Sequence, residues 1–300
     1  MDANSSEIVL ITGSSTGFGY LTAETLARRG HRVLATMRDI AGRNASARAA
    51  LEQIASAENL PIEVLEMDVS SDASVETCVN EALARAGAID VVINNAAMSG
   101  SGVTEAFTAA EFRTIFETNF FGVVRVNRAV LPAMRRRRKG LLLHVSSAAG
   151  RVVIAYNAPY CASKFALEAL ADSYRFELAP LGIDSILVEP GAFRTAIFEK
   201  PHPPADAART QEYESVNYTS RLSEAFQTAF NDPAATDPQE VTDAIVRLIE
   251  TPAGDRPLRT LVGARVQGLA PFNEIAEKYR EATAQAFGLD ALLSLAKDNH

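Results

Sequence analysis

Six short runs dense in valine, isoleucine and leucine recur between Glu7 and Glu189, and amphipathic stretches separate them. The runs are Glu7–Thr12, His31–Met37, Ile62–Met67, Ile89–Asn94, Leu141–Ser146 and Ile183–Glu189. Each is apolar on both faces, which is how strands read when helices cover both sides of a parallel sheet. The stretches Gly17–Arg29, Ser46–Glu58, Ser74–Ala86, Phe107–Met134 and Pro159–Ala179 read as helices. Such alternation means right-handed βαβ units and a doubly wound α/β fold. Asp237–Glu250 adds a helix pattern and Arg259–Val262 a seventh strand. The expectation is one domain over residues 1–300, with a mostly parallel, seven-stranded sheet.

The periodicity breaks between Phe193 and Thr236, where Pro201, Pro203 and Pro204 fall close together. A long insertion late in an α/β domain is more often a lid or binding loop than a linker. Residues 193–236 are therefore read as a substrate lid, whose Phe193, Ile197, Phe198, Tyr213, Tyr218 and Phe226 suit an apolar substrate. Leu269–His300 reads as a tail of one or two polar helices.

Composition narrows the setting. Apolar residues make up 47% and charged residues 22%, so the chain can build a large core without staples. The two cysteines, Cys78 and Cys161, make no disulfide framework, which points to a reducing, cytoplasmic compartment. A net charge of −8 disfavours nucleic acid and anionic membranes as partners. No apolar run is long enough to span a bilayer, and Asp2 and Glu7 spoil a secretory leader. Histidine and cysteine show no metal-ligand spacing, so no metal is expected. The basic run Arg135–Lys139 reads as a solvated helix C-terminus.

The strongest local motif is Thr12-Gly-Ser-Ser-Thr-Gly-Phe-Gly19, directly after the first strand and opening the first helix. Glycines at 13, 17 and 19 permit a tight turn and let backbone approach a pyrophosphate, which the helix N-terminus stabilises. A glycine-rich turn without a ligand is the bland alternative. The strand before and the helix after favour dinucleotide binding.

The spacing G-x-x-x-G-x-G resembles the short-chain dehydrogenase/reductase family, and further matches fall in that family's order. They are Asp68-Val69, Asn94-Asn95-Ala96-Ala97, Asn119, Ser146-Ser147, Tyr160-Cys-Ala-Ser-Lys164 and Pro190-Gly191, so the resemblance covers residues 6–265. Tyr160–Glu168 and Ala35–Asp39 look most like the branch containing type 1 17β-hydroxysteroid dehydrogenase and the retinol dehydrogenases. Ala97 stands where the family usually has glycine, and Phe18 where isoleucine is usual. The resemblance implies a Rossmann-type domain and a homodimer or homotetramer. It implies a catalytic set of Asn119, Ser147, Tyr160 and Lys164, with Asn119 supporting a water relay and Lys164 also meeting the nicotinamide ribose. The implied cofactor contacts are Gly13, Ser15, Thr16, Gly17, Phe18 and Gly19 in the loop, then Arg38, Asp68, Val69, Asn95 and Ala96. Tyr160, Lys164, Pro190, Gly191 and Thr195 complete them. Asp68 would touch the adenine, a helix N-cap role being compatible, and Thr195 the carboxamide.

The chemistry also follows from the residues. Tyr160 and Lys164 stand at i and i+4, on one helix face. A free tyrosine, with a pKa of about 10, is a poor base at pH 7. An ammonium within about 4–6 Å, beside an oxidised nicotinamide, lowers that pKa. Tyr160 then exchanges a proton with the substrate oxygen while Ser147 stabilises the developing charge. Cys161 reads as a small buried residue and His144 as a core histidine. At the end of the second strand Met37 stands where an acid would select NAD, and Arg38 offers a donor fork to a 2′-phosphate. Asp39 complicates the choice, yet NADP(H) is favoured over NAD(H). The expected activity is NADP(H)-dependent interconversion of a hydroxyl and a carbonyl group on an apolar substrate by hydride transfer. One alternative is a catalytically silent NADP-binding regulator, against which the intact set of four argues. Another, a nucleotide-sugar epimerase, conflicts with the glycine spacing and the missing large C-terminal domain.

Overall fold

A computed structural model describes residues 6–195, 197, 201–230 and 237–296. Its seven strands are β1 (Ile8–Thr12), β2 (Arg32–Met37), β3 (Ile62–Glu66), β4 (Val91–Asn94), β5 (Gly140–Val145), β6 (Ile183–Pro190) and β7 (Arg259–Val262). All neighbours pair in parallel, in the order β3-β2-β1-β4-β5-β6-β7. Each expected strand is present within about two residues. The order reverses between β1 and β4, where a doubly wound sheet opens a crevice at its carboxyl edge.

The helices are α1 (Gly17–Arg28), α2 (Ala45–Glu58), α3 (Asp72–Ala86), α4 (Ala109–Phe116), α5 (Gly122–Arg137) and α6 (Ala158–Leu178). Beyond β6 come α7 (Ala207–Glu212), α8 (Thr219–Phe230), α9 (Gln239–Glu250) and α10 (Ala270–Ala286). The strands divide their side chains between two apolar layers. Val9, Ile11, Val33 and Ala35 pack on one face with Leu26 of α1 and Ile245 of α9. Leu10, Leu34 and Val92 pack on the other with Val79 of α3 and Val130 of α5. Burial on both faces is why the runs are continuously apolar, each enclosed Leu or Ile contributing about 1.5–3 kcal/mol.

The stretch read as one helix over Phe107–Met134 is divided. A π-helical turn, Glu117–Phe121, separates α4 from α5 and carries Asn119. α4 starts only after Thr108, whose side chain closes a capping box with Glu111. The basic run ends α5 as expected. Arg138 takes the left-handed cap conformation (φ 51°), Lys139 Nζ pairs with Glu7 at 3.0 Å, and Arg137 pairs with Asp90. Phe193 is not a lid residue: it is 1% exposed and meets Phe18 edge-on at 5.8 Å. The tail forms α10 and a short 3-10 turn, Asp290–Leu292. Among the described residues no helix is long and apolar enough to cross a membrane.

Candidate active site

A cleft of about 510 Å³ opens at the carboxyl edge where β1 and β4 part. Its floor is built by close approach. Gly13 has φ +72°, and a Cβ there would stand 2.8 Å from Ala96 Cα. A Cβ on Gly19 would stand 2.5 Å from both Asn95 Nδ2 and the Gly13 oxygen. The third glycine therefore serves the seating of α1 on the loop. Thr12, which sequence reasoning passed over, joins the two strand ends: its Oγ1 accepts from the Asn95 and Ala96 N–H groups, both at 3.0 Å. Asn95 Nδ2 donates in return to the Thr12 and Gly13 carbonyls at 2.9 and 3.0 Å.

The expected residues converge here, with two exceptions. Gly13, Ser15, Thr16, Gly17 and Phe18 line the cleft beneath the N-terminus of α1. Val69, Asn95 and Ala96 line it from the loops after β3 and β4, and Pro190, Gly191 and Thr195 from beyond β6. Gly19 and Asn119 are not part of its wall. Asn119 is 1% exposed and bonds both ways to Met98, its Oδ1 accepting from N at 2.8 Å and its Nδ2 donating to O at 2.9 Å. Nδ2 also donates to Ser163 Oγ at 2.9 Å. The π turn is what aims this amide between the β4 loop and α6.

At one end stand Ser147, Tyr160 and Lys164. Ser147 follows β5, and its hydroxyl is hydrogen-bonded to that of Tyr160. Lys164 Nζ lies 5.8 Å from the Tyr160 ring centre and donates to the Val145 carbonyl at 2.8 Å. Burial pushes the Tyr160 hydroxyl up to about 12, against the Ser147 bond, and pushes Lys164 down to about 8, against Glu168. The lowered tyrosine pKa expected from the sequence is thus not produced by the protein groups themselves, because desolvation outweighs them.

At the other end stand Arg38, Arg43 and Asp68. Arg43 had no signal beyond being a second arginine near the end of β2. Asp39 does not compete with Arg38. It takes a left-handed conformation (φ 50°), and its carboxylate accepts from the Arg43 N–H at 2.9 Å, outside the cleft wall. Asp68 is not the N-cap of α3; Ser71 is, accepting from Ser74 N. Asp68 Oδ1 accepts from the Ser70 N–H and hydroxyl at 2.9 and 2.6 Å. Burial raises its pKa, but these bonds and the Arg38 and Arg43 charges prevail and lower it.

The wall also takes in Met98, Ser99, Ile197, Pro201, His202 and Pro203. Tyr213, Tyr218 and Phe226 are not part of it, and Phe198 lies outside the described residues. Cys161 is 2% exposed and His144 fully enclosed, as expected of packing residues.

The cleft suits a nicotinamide dinucleotide. The Gly13 cradle admits no side chain, and Thr195 Oγ1 is buried at the wall with no hydrogen-bond partner among the described residues.

The model of a family described as short chain dehydrogenase matches residues 7–205. A 3-ketodihydrosphingosine reductase of Bacteroides thetaiotaomicron is 33% identical over 265 residues, 88% of this chain and 90% of that protein. Human retinol dehydrogenase 8 is 34% identical over 272 residues, 89% of this chain and 85% of that protein. The crystal structure of a short-chain dehydrogenase from Streptomyces avermitilis aligns with a TM-score of 0.72 at 30% identity, covering 95% of this chain and 98% of that one.

Proposed function

The chain belongs to the short-chain dehydrogenase/reductase family and is an oxidoreductase acting on CH–OH groups with a nicotinamide cofactor, and we propose that it uses NADP(H) to interconvert an apolar alcohol and its ketone. The observation that carries the reading is the meeting of the Ser147 and Tyr160 hydroxyls at one end of a cleft whose other end holds Arg38 and Arg43.

In this reading the loop residues Gly13, Ser15, Thr16, Gly17 and Phe18 hold the diphosphate at the α1 N-terminus, seated by Gly19. Arg38 and Arg43 take the 2′-phosphate, and Asp68, Val69, Asn95 and Ala96 enclose the adenosine side. Pro190, Gly191 and Thr195 hold the nicotinamide side, where the orphaned Thr195 hydroxyl finds a partner. The bound nicotinamide supplies or accepts the hydride. Tyr160 carries its proton at neutral pH, since burial holds it near 12, and donates it to a substrate carbonyl oxygen. Ser147 donates a hydrogen bond to that oxygen as charge develops. Lys164 holds the ribose and supplies positive charge behind Tyr160. Asn119 keeps the Met98 loop and Ser163 in register beside them.

Ile197, Met98, Pro201 and Pro203 make the substrate end apolar, and the segment after the buried Phe193 serves as its lid through Ile197 and the Pro201–Pro203 stretch. The names of two relatives, which refer to retinol and to 3-ketodihydrosphingosine, support that class. We place the protein in the cytoplasm as a homodimer or homotetramer. The free, buried Cys78 and Cys161 and the exposed Phe121 and Phe165 support this. The test is to titrate the pure protein with NADPH and NADH, then follow nicotinamide absorbance with a panel of apolar ketones and alcohols. Tighter NADH binding, or turnover confined to small polar substrates, contradicts the reading.

A further inference from the structure

One helical turn beyond Lys164, Glu168 enters a buried ionic cluster that the proposed chemistry leaves unused. Glu168 Oε2 accepts from Arg259 Nε at 2.9 Å, and Arg259 Nη2 donates to Asp172 Oδ2 at 2.8 Å. Glu189 Oε1 is 3.4 Å from Arg259 Nε and 3.8 Å from Arg151 Nε. Glu189 Oε2 accepts from Asn273 Nδ2 at 2.6 Å, and Asn273 Oδ1 accepts from Arg151 Nε at 2.8 Å. The Glu168 and Glu189 residues are 3% and 0% exposed, and the Oε1 atom of each is buried without a hydrogen bond. The cluster therefore joins α6, β6, β7 and the C-terminal helix α10.

Among the described residues, three carboxylates in this cluster share two guanidiniums. A buried charge without a counterpart is strongly unfavourable. Lys164 stands four residues before Glu168 on the same helix face and is 2% exposed. With the carboxylates ionised, the charges balance at three against three only when Lys164 is an ammonium. We propose that Glu168 is a positioning residue that keeps the buried Lys164 side chain protonated, and that Glu189 and Asn273 extend this support to α10. The inference rests on the proposed role of Lys164 only for its catalytic consequence.

Other groups facing Lys164 do not take over this task. His144 of β5 is pushed down to about 3, by burial and then by Lys164 itself. Tyr160 is pushed up to about 12, so both are neutral at pH 7. Glu189 is raised to about 7, by burial and then by the Glu168 charge, so it is ionised, and the charge balance holds, on the alkaline side of neutrality. Lys164 stands at about 8, where burial lowers it and Glu168 opposes the loss. Removing the Glu168 charge therefore brings the midpoint of Lys164 close to neutrality, where a large part of it is already an amine.

The chain has five lysines, which makes isotope-labelled lysine side chains resolvable by NMR in the intact protein. The Lys164 signal is identified by its loss in Lys164→Met. In Glu168→Gln its titration midpoint should fall by about one pH unit, a tenfold weaker proton affinity. Glu168→Asp should restore most of it, and Asp172→Asn, at the wetter rim, should barely move it. An unchanged midpoint in folded Glu168→Gln overturns the proposal, as do equal shifts in all three variants. Where Glu168→Gln fails to fold, Glu189→Gln should give a smaller shift in the same direction, and no shift overturns the proposal. A moved midpoint with an unmoved pH profile of turnover supports this inference and removes the catalytic role of Lys164.

Discussion

The Ala205 N–H donates to Glu111 Oε1 at 2.8 Å, which ties the segment after β6 to the first turn of α4. The same carboxylate accepts from the Thr108 N–H and hydroxyl, both at 2.8 Å, and stands 3.7 Å from His202 Nε2. Two backbone bonds, His202 N to Ser99 O at 2.8 Å and Ser101 N to His202 O at 3.0 Å, finish the tether. One buried glutamate thus both starts a helix and holds the proline strap, Pro201–Pro204, beside the end of the cleft proposed to take the substrate.

Glu111→Ala should cost about 1–2 kcal/mol of stability by removing half a capping box and a buried acceptor. It should also raise KM for the apolar substrate severalfold while kcat changes less, since the strap touches no reacting atom. Chemical denaturation and steady-state kinetics read the two effects separately. A stability loss with unchanged KM would free the strap from any part in substrate binding.

Tyr160→Phe keeps the ring and its packing but removes the exchangeable proton. Turnover should drop by about 10²–10⁴-fold, with NADPH affinity preserved. Near-native turnover on a good substrate would remove Tyr160 from its acid/base role.

Lys164→Ala should lower turnover and NADPH affinity together, unlike the tyrosine variant. In the native enzyme, carbonyl reduction should decline as the pH rises through about 8, where the buried ammonium loses its proton. A pH profile flat across that region argues against a protonated lysine in the working enzyme.

Arg38→Ala should weaken NADPH by about 10–150-fold, the worth of a charge-assisted contact at about 1.5–3 kcal/mol, and leave NADH almost untouched. Arg43→Ala should act in the same direction. Met37→Asp combined with Arg38→Ala should reverse the preference. Because the contact is ionic, NADPH affinity should also fall faster with salt than NADH affinity. Titration by nicotinamide fluorescence checks all of these, and an unchanged NADPH/NADH ratio in Arg38→Ala is the adverse result.

Acid should destabilise the fold through His144. Its folded pKa of about 3 lies below the unfolded value of 6.5, so between these limits only the unfolded chain takes up the proton. Stability is complete above 6.5 and declines by about 1.4 kcal/mol per pH unit below it. His144→Asn should flatten that slope in denaturant titrations at pH 7 and pH 5. Equal slopes in the two proteins would mean that other groups govern the acid limb.

The parts that proved legible are those whose signal is local. Strand runs announce themselves because burial on both faces leaves no polar positions, and Gly13 and Gly17 do so because their φ values, +72° and +59°, need glycine. Tyr160 and Lys164 meet because four residues make about one helical turn. Phe193 was misplaced because an aromatic in an irregular segment reads the same whether it faces a ligand or, as here, Phe18.

By itself, the sequence determined the parallel sheet, the glycine turn at its first βα junction and the pairing of tyrosine with lysine, since each depends on neighbours within a turn or two of chain. Only the tertiary structure decided that Arg43 joins Arg38 in the cleft, and that a π turn gives Asn119 to Met98 and Ser163. It also decided that Glu168, Glu189, Arg259 and Asn273, spread over four separate elements of the chain, share one buried cluster. Such contacts form when loops close and strands align, and no residue's nearest neighbours in sequence record which distant charge will enclose it.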